Sequence, residues 1–189
     1  MHNIIVQSID DEKYLDEAAD LINSHSINIT EEQMFDLLKI RRRWGMGSIE
    51  TINACGRVSC NYFTTDGTLN FSEWKKLYDL GFTSYINEVM DLTEELRTLD
   101  TKLFDLKGSY TSANLYFAKG STTHRVSFPP HNHDYHVIVK PIYGSCTWLI
   151  GDQVQYVTPD DLVILPCGTM HTVLESTEPR LSLTINLTG

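Results

Sequence analysis

Short strand patterns fill the second half of this sequence and constrain its fold more than any other feature. Eight brief runs of apolar or alternating residues follow one another, each separated from the next by turn residues. The runs are 113–119, 125–128, 135–143, 147–150, 153–157, 161–165, 171–174 and 181–187. Many short strands at this spacing are typical of a β-sandwich or a barrel. The sequence therefore predicts a β-barrel over residues 108–189.

The first half of the sequence has helical patterns instead. Apolar residues within 15–22 recur at the spacing of one helix face. Thr30 and Gln33 have the spacing of a capping box, so a second helix is predicted to begin after Thr30 and to stop at Gly45 and Gly47. Further helices are predicted to start at Ser72 and to cover 84–99, and strands are predicted at 1–8 and 56–63.

The two patterns meet between residues 107 and 108. Residues 1–107 are predicted to form a helical region with one or two strands, and residues 108–189 the barrel. Because about 80 residues are few for a closed barrel, we expect a strand from 1–107 to complete the sheet and the helices to cover it. The predicted fold class is α+β, mainly β.

Charge and composition exclude two classes of partner. The formal net charge is −10, and nucleic-acid binding needs clustered basic residues. No stretch approaches the roughly 18 apolar residues of a membrane span, and the N-terminus lacks the basic and apolar regions of a secretory signal. The four cysteines form no C-x-x-C pair, which indicates reduced thiols in a cytoplasmic protein.

Three histidines have the spacing of a metal site. His131 and His133 lie two apart before an apolar run, so in a strand they would face the same side. His171 follows the tight turn predicted at Pro166-Cys167-Gly168 and is the best third ligand. Imidazole suits Fe, Zn, Cu and Ni, and three protein ligands leave coordination positions open for catalysis.

Other residues near this motif leave alternatives open. A lone histidine in a strand is most often a structural hydrogen-bonding group, but this pairing of motifs favours metal binding. His136 has the opposite parity to His131 and His133, which favours a supporting role beside the ligands or contact with substrate over ligation. Asp134 is the other nearby candidate ligand.

These residues resemble the two motifs of the cupin superfamily. His131-Asn132-His133 with Gly144 is similar to the first motif, and Pro166 to His171 is similar to the second, P-x-G-x-x-H. The glutamate of the first motif is absent, because Val137 and Ile138 occupy its place. The resemblance covers roughly 112–189 and implies a double-stranded β-helix, or jelly-roll, barrel.

One branch that the sequence resembles is the thiol dioxygenases, typified by cysteine dioxygenase, which bind iron through three histidines. The similarity lies in PPHNHDYHVIVKPIYG and GTMHTVLESTEPRLSLTINL. Val137 stands where some members have a cross-linked cysteine. The Ser-His-Tyr set of the last strand is Ser182, Thr184 and Asn186 here.

A second branch is the JmjC-like hydroxylases that use 2-oxoglutarate. ANLY at 113–116, the PPH stretch and the residues from Gly144 to Trp148 are similar to it. His133 replaces the aspartate of its H-x-D motif, and Cys146 replaces its co-substrate lysine. If 2-oxoglutarate is used, Lys140, Arg125 or Arg180 is the candidate cation.

The leading hypothesis is a non-haem Fe(II)-dependent oxygenase that uses O2 on a small organic or amino-acid-like substrate. Three neutral imidazoles leave Fe(II) its full +2 charge, which favours an anionic substrate. The candidates for substrate contact are His136, Tyr116, Tyr135 and Asn186. Of these, His136, Tyr116 and Asn186 are the predicted catalytic residues. The alternatives are a 2-oxoglutarate-dependent hydroxylase, a zinc enzyme and a non-catalytic metal-binding cupin. The resemblance also suggests a homodimer.

Overall fold

The computed structural model describes residues 3–6, 13–40, 47–53, 55–58, 62–64, 66–108, 111–121 and 127–187. The helices in these ranges are α1 (Lys13–Ser24), α2 (Glu31–Lys39), α3 (Phe71–Asp79) and α4 (Glu94–Lys107). The strands are β1 (Asn3–Val6), β2 (Ile49–Asn53), β3 (Gly56–Arg57), β4 (Thr83–Ile86), β5 (Ser112–Ala118), β6 (His136–Tyr143), β7 (Cys146–Ile150), β8 (Gln153–Val157), β9 (Asp161–Leu165), β10 (His171–Glu175) and β11 (Arg180–Leu187).

The strands form two sheets. The larger sheet has the order β1-β9-β6-β11-β5-β4-β2-β3, and the smaller has the order β10-β7-β8. Neighbouring strands are antiparallel, except that β1 runs parallel to β9. Strands from both halves of the sequence share the larger sheet, because β4 pairs with β5. The predicted α+β class is confirmed.

The larger sheet is covered on both faces. Successive residues of a strand point to opposite sides of the sheet, so neighbouring residues of β6 belong to different apolar clusters. Val137 and Val139 of β6 pack in one apolar cluster with Trp148 of the smaller sheet. Ile138, between them, belongs to a second cluster that includes Leu15 of α1. The two sheets therefore enclose one core, and the helices cover the outer face of the larger sheet over another.

The apolar face of the first helix and the start of the second agree with the prediction. The apolar face predicted for α1 is buried at Leu15, Ala18, Ala19 and Ile22. At α2, the Thr30 hydroxyl accepts from Gln33 N at 3.2 Å, and Thr30 N donates to Gln33 Oε1 at 2.8 Å, which is the predicted capping box. The helix ends at Lys39, so the predicted stop at Gly45 and Gly47 was too late. Residues 41–46 lie outside the described ranges.

The prediction of one helix over 84–99 was wrong. Thr83–Ile86 is the buried strand β4, held between β2 and β5, and the helix begins only after Thr93. The Thr93 hydroxyl accepts from Leu96 N at 3.2 Å and defines that start. The apolar residues before Thr93 were mistaken for a helix face, because pairing with neighbouring strands cannot be seen in local periodicity.

Two other element bounds also differ from the prediction. The third helix is capped by Asn70, whose side chain accepts from Glu73 N, and not by Ser72. The strand predicted at 56–63 is limited to the short β3, whereas β2 was not predicted. Residues 59–61 of that run lie outside the described ranges.

The strands predicted after residue 112 are confirmed, with one exception. Of the run 125–128, only Ser127 and Phe128 are described, and neither belongs to a strand. Among the helices of the described ranges, none has both the length and the apolar character needed to cross a membrane.

Candidate metal centre

His131 and His171 are brought together by a backbone bridge. His131 N donates to His171 O at 3.1 Å, and His171 N donates to His131 O at 2.8 Å. His133 is held next to them because Gly168 N donates to its carbonyl at 2.8 Å. One ring nitrogen from each of the three histidines lies within 4.8 Å of the others. The three predicted ligands therefore converge.

The reason for this convergence differs from the prediction. His131 and His133 were predicted to share one side of a strand, but β6 begins only at His136. The two histidines lie in the segment before β6. The bridge to His171 places the His131 ring, and the contact with Gly168 places the His133 ring. Pairing with the start of β10, and not strand pleat, aligns the rings.

Backbone carbonyls orient two of the rings. The Nδ1 atom of His131 lies 2.9 Å from Pro129 O, and the Nδ1 atom of His171 lies 2.9 Å from Thr169 O. A carbonyl only accepts hydrogen bonds, so each Nδ1 carries the proton and donates it. In a neutral ring this leaves Nε2 with a free lone pair, which is the arrangement that metal-binding histidines use.

The surroundings of the cluster favour the neutral form of His133 and His171. Burial lowers the pKa of His171 to about 4. Burial, with a further contribution from His131, also lowers the pKa of His133, against an opposing effect of Asp134. A histidine must be unprotonated to bind a metal, so at neutral pH these two rings are ready to do so.

The three histidines line one cavity between the sheets, with about 450 Å³ of empty space including its open mouth. Much of its wall is apolar, with Val137, Val139, Trp148, Leu165 and Val173 contributing. The Trp148 ring stacks on the His171 ring, with 6.0 Å between centroids and 24° between planes. No aspartate or glutamate is among the described residues that line it. The histidines therefore share a cavity whose wall is largely apolar.

Of the predicted catalytic residues, Tyr116 lines this cavity. Its ring stacks on Tyr85 at a centroid distance of 5.1 Å, and Phe128 lies 6.2 Å away. Burial raises the pKa of Tyr116 to about 12, so its hydroxyl stays protonated at neutral pH. It can therefore donate a hydrogen bond to a bound molecule.

His136 and Asn186 are placed elsewhere. The Nδ1 atom of His136 accepts from Cys167 N at 3.2 Å, and its ring lies against Tyr14 of α1. Asn186 is buried and donates through Nδ2 to Ser112 Oγ at 3.0 Å. Neither residue is among those that line the cavity.

Three further candidates, Asp134, Tyr135 and Lys140, are not part of the cavity lining. Asp134 is exposed and outside the histidine group. Tyr135 stacks on His133 at 4.9 Å, but it is not part of the lining. Lys140 donates to Asn23 Oδ1 at 3.1 Å. Arg125 lies outside the described residues.

The cavity also contains residues that the motifs did not identify as a group. Arg180, Ser182 and Thr184 form a polar row on β11, and Thr172 and Trp148 complete the wall. The alternation of polar and apolar residues in RLSLTINL carried this information. It could not be used from the sequence alone, because which face of the strand points into the barrel depends on the sheet packing.

Comparison with known families agrees with the barrel. Residues 116–185 match the model of the AraC-like ligand binding domain, a segment that runs from β5 to β11 and includes all three histidines. This barrel has the cupin fold. No curated protein matches the sequence at a significant level.

Solved structures are similar to this chain at low sequence identity. The ribosomal oxygenase YcfD from Escherichia coli is 12% identical with a TM-score of 0.58, and the match covers 88% of this chain and 45% of YcfD. DMSP lyase DddQ from Ruegeria pomeroyi DSS-3 is 20% identical with a TM-score of 0.37, covering 41% of this chain and 38% of the lyase. A cupin superfamily protein from Desulfitobacterium hafniense DCB-2 is 18% identical with a TM-score of 0.36, and the match covers 42% of this chain and 68% of that protein. The chain thus spans less than half of YcfD and of the lyase.

Proposed function

We propose that this chain is a non-haem Fe(II)-dependent cupin oxygenase that uses O2 on a small organic or amino-acid-like substrate. The observation that carries the proposal is the convergence of His131, His133 and His171 on one cavity whose described lining contains no carboxylate. YcfD, an oxygenase by its name, supports the fold at this level of identity.

The donor set fits a transition metal. Three imidazole nitrogens within 4.8 Å of one another suit iron or zinc. Three protein ligands leave other coordination positions for substrate and O2. The backbone bonds at Nδ1 of His131 and His171 would leave Nε2 of each ring to hold the metal. When bound, iron supplies the O2 chemistry that side chains lack.

The other residues of the cavity bind and orient the substrate. Trp148 packs against the His171 ring and, with Val137 and Val139, provides an apolar surface for the substrate. The protonated hydroxyl of Tyr116 donates a hydrogen bond to a substrate oxygen or nitrogen. Because the three ligands are neutral and no described carboxylate lines the cavity, the charge of the ion is not compensated, which favours an anionic substrate.

Metal analysis and O2 uptake test this proposal, with His171→Ala compared with His25→Ala. His25 is a matched control, because its Nε2 contacts Glu95 O on the helical side of the protein. After anaerobic loading with Fe(II), the wild type and His25→Ala are expected to hold one iron and to consume O2 with a suitable substrate. His171→Ala is expected to lose both properties.

The substrate panel contains small thiols and organic acids, each with and without 2-oxoglutarate. A dependence of O2 uptake on 2-oxoglutarate would identify the hydroxylase class. Zinc as the retained metal, with no O2 uptake under any condition, would contradict the proposal and favour a zinc enzyme or a metal-binding module. Full metal occupancy in His171→Ala would show that the third ligand is misassigned.

A further inference from the structure

Arg180 lies inside the barrel at the start of β11. Leu181 and Leu183 of this strand belong to the core that includes the helices. Arg180, Ser182 and Thr184 point to the opposite face and line the cavity that the three histidines share. Only 4% of Arg180 is exposed, so its guanidinium is one of the buried charges of the protein.

The partners of this guanidinium do not match its charge. Nη2 donates to Thr83 Oγ1 at 3.5 Å, and Nε has no hydrogen-bond partner among the described residues. No ion pair joins Arg180 to a carboxylate within the described ranges. A buried charge is costly unless it is paired, and natural proteins rarely leave a buried N–H without an acceptor. This arrangement is expected where a ligand supplies the anion.

We propose that Arg180 binds a carboxylate group of the molecule that occupies this cavity. Arginine is suited to this role because its planar N–H groups match the two oxygens of a carboxylate. Ser182 follows two residues later on the same face and is also buried, so its hydroxyl adds a donor beside the guanidinium. No described acidic residue in the cavity wall competes for the guanidinium.

The strand register places this anion site away from the histidines. On β11, Asn186 pairs with Val137 near the start of β6, whereas Leu181 pairs with Tyr143 at its end. Arg180 therefore lies toward the other end of the barrel from His131 and His133, yet lines the same cavity. A ligand that reaches both has a carboxylate at one end and, resting on the proposed function, a metal-binding group at the other.

Such a carboxylate has two chemical sources, the substrate itself or 2-oxoglutarate as co-substrate. Calorimetric titration of zinc-loaded protein separates binding from O2 chemistry. The probes are 2-oxoglutarate, 3-mercaptopropionate, succinate and its neutral diamide. Tighter binding of 2-oxoglutarate assigns the site to a co-substrate, and tighter binding of the thiol acid assigns it to the substrate.

The decisive variant is Arg180→Gln, which removes the charge and keeps much of the side-chain length. Loss of a charged hydrogen-bond partner is expected to weaken carboxylate binding about 10- to 100-fold. Arg97→Gln is the matched control, because Arg97 is exposed on α4 and donates to Asp91 O. It is expected to bind as the wild type does, and the diamide is expected to bind weakly to all forms.

Circular dichroism and zinc content verify that each variant is folded. If Arg180→Gln does not fold, Ser182→Ala replaces it, with an expected several-fold weakening. Equal carboxylate affinity in the folded variant and the wild type overturns the inference. Absence of binding by every carboxylate probe, or equal binding of succinate and its diamide to the wild type, also overturns it.

The two proposals fail in different ways. Arg180-dependent carboxylate binding without O2 uptake by the iron-loaded protein would contradict the oxygenase and leave the anion site intact. O2 uptake with carboxylate binding unchanged in Arg180→Gln would contradict the anion site and leave the oxygenase intact.

Discussion

Acid is expected to destabilise the metal-free protein through His171. The side chain is 6% exposed, and burial lowers its pKa to about 4, against about 6.5 for histidine in an unfolded chain. The folded pKa is the lower of the two, so the unfolded state takes up the proton first as the pH falls. Stability that is present above pH 6.5 is therefore lost progressively as the pH falls toward 4.

The size of this effect follows from the two pKa values. Between pH 7 and pH 5 the unfolded chain becomes almost fully protonated at this ring, while the folded chain remains mostly neutral. Proton linkage then lowers the free energy of unfolding by roughly 2 kcal/mol, and the loss approaches roughly 3 kcal/mol below pH 4. This is a large share of the roughly 5–15 kcal/mol that stabilises a typical domain.

Urea unfolding at pH 7 and pH 5, with a chelator present, measures the effect. The His171→Gln variant is the reference, because it lacks the titrating ring but keeps the acidic groups of the protein. The wild type is expected to lose about 2 kcal/mol more than the variant between the two pH values. Equal losses in the two proteins would refute the assignment of a buried, neutral His171.

Two further substitutions test how the barrel and its helices are held. Gly144→Ala is expected to lower the free energy of unfolding in urea by about 3 kcal/mol or more, because a Cβ there would lie 2.0 Å from Pro179 O at a φ of +71°. Gly108→Ala is the control, since Gly108 has a similar φ of +70° but no atom within 4 Å of the added Cβ. It is expected to lower the free energy of unfolding by only about 1 kcal/mol. Thr93→Ala is expected to cost about 1 kcal/mol by removing the cap of α4. Thr98→Ala, on the exposed face of the same helix, should stay within about 0.5 kcal/mol of the wild type, and equal effects of the two threonine changes would contradict the capping role.

The barrel was predictable because glycine-containing turns mark the ends of its strands in the sequence. Gly144 and Gly151 have positive φ and separate β6, β7 and β8 at positions where glycine is favoured. Gly168 does the same before β10, where Thr169 N donates to Pro166 O at 3.0 Å. These turns depend on local backbone chemistry, so they are visible in the sequence.

The first half was less predictable because its strands depend on distant partners. The residues of β4 are buried between β2 and β5, and Ser84 accepts a hydrogen bond from Trp74 Nε1 at 2.9 Å. None of these contacts leaves a periodic trace within 84–99, where apolar residues also fit a helix face. The start of α4 was recoverable from Thr93, Glu94 and Glu95, which have the composition of a helix start.

The polar row of β11 shows why a cavity is harder to predict than a strand. Alternation of polar and apolar residues normally indicates an antiparallel strand with one face in water. Here the larger sheet is covered by helices on one face and by the smaller sheet on the other, so Arg180 and Ser182 are buried although they occupy the polar positions. Burying them without full pairing costs free energy that apolar side chains would avoid. Once both faces of a strand are known to be covered, its polar positions therefore indicate a binding site and not a solvated surface.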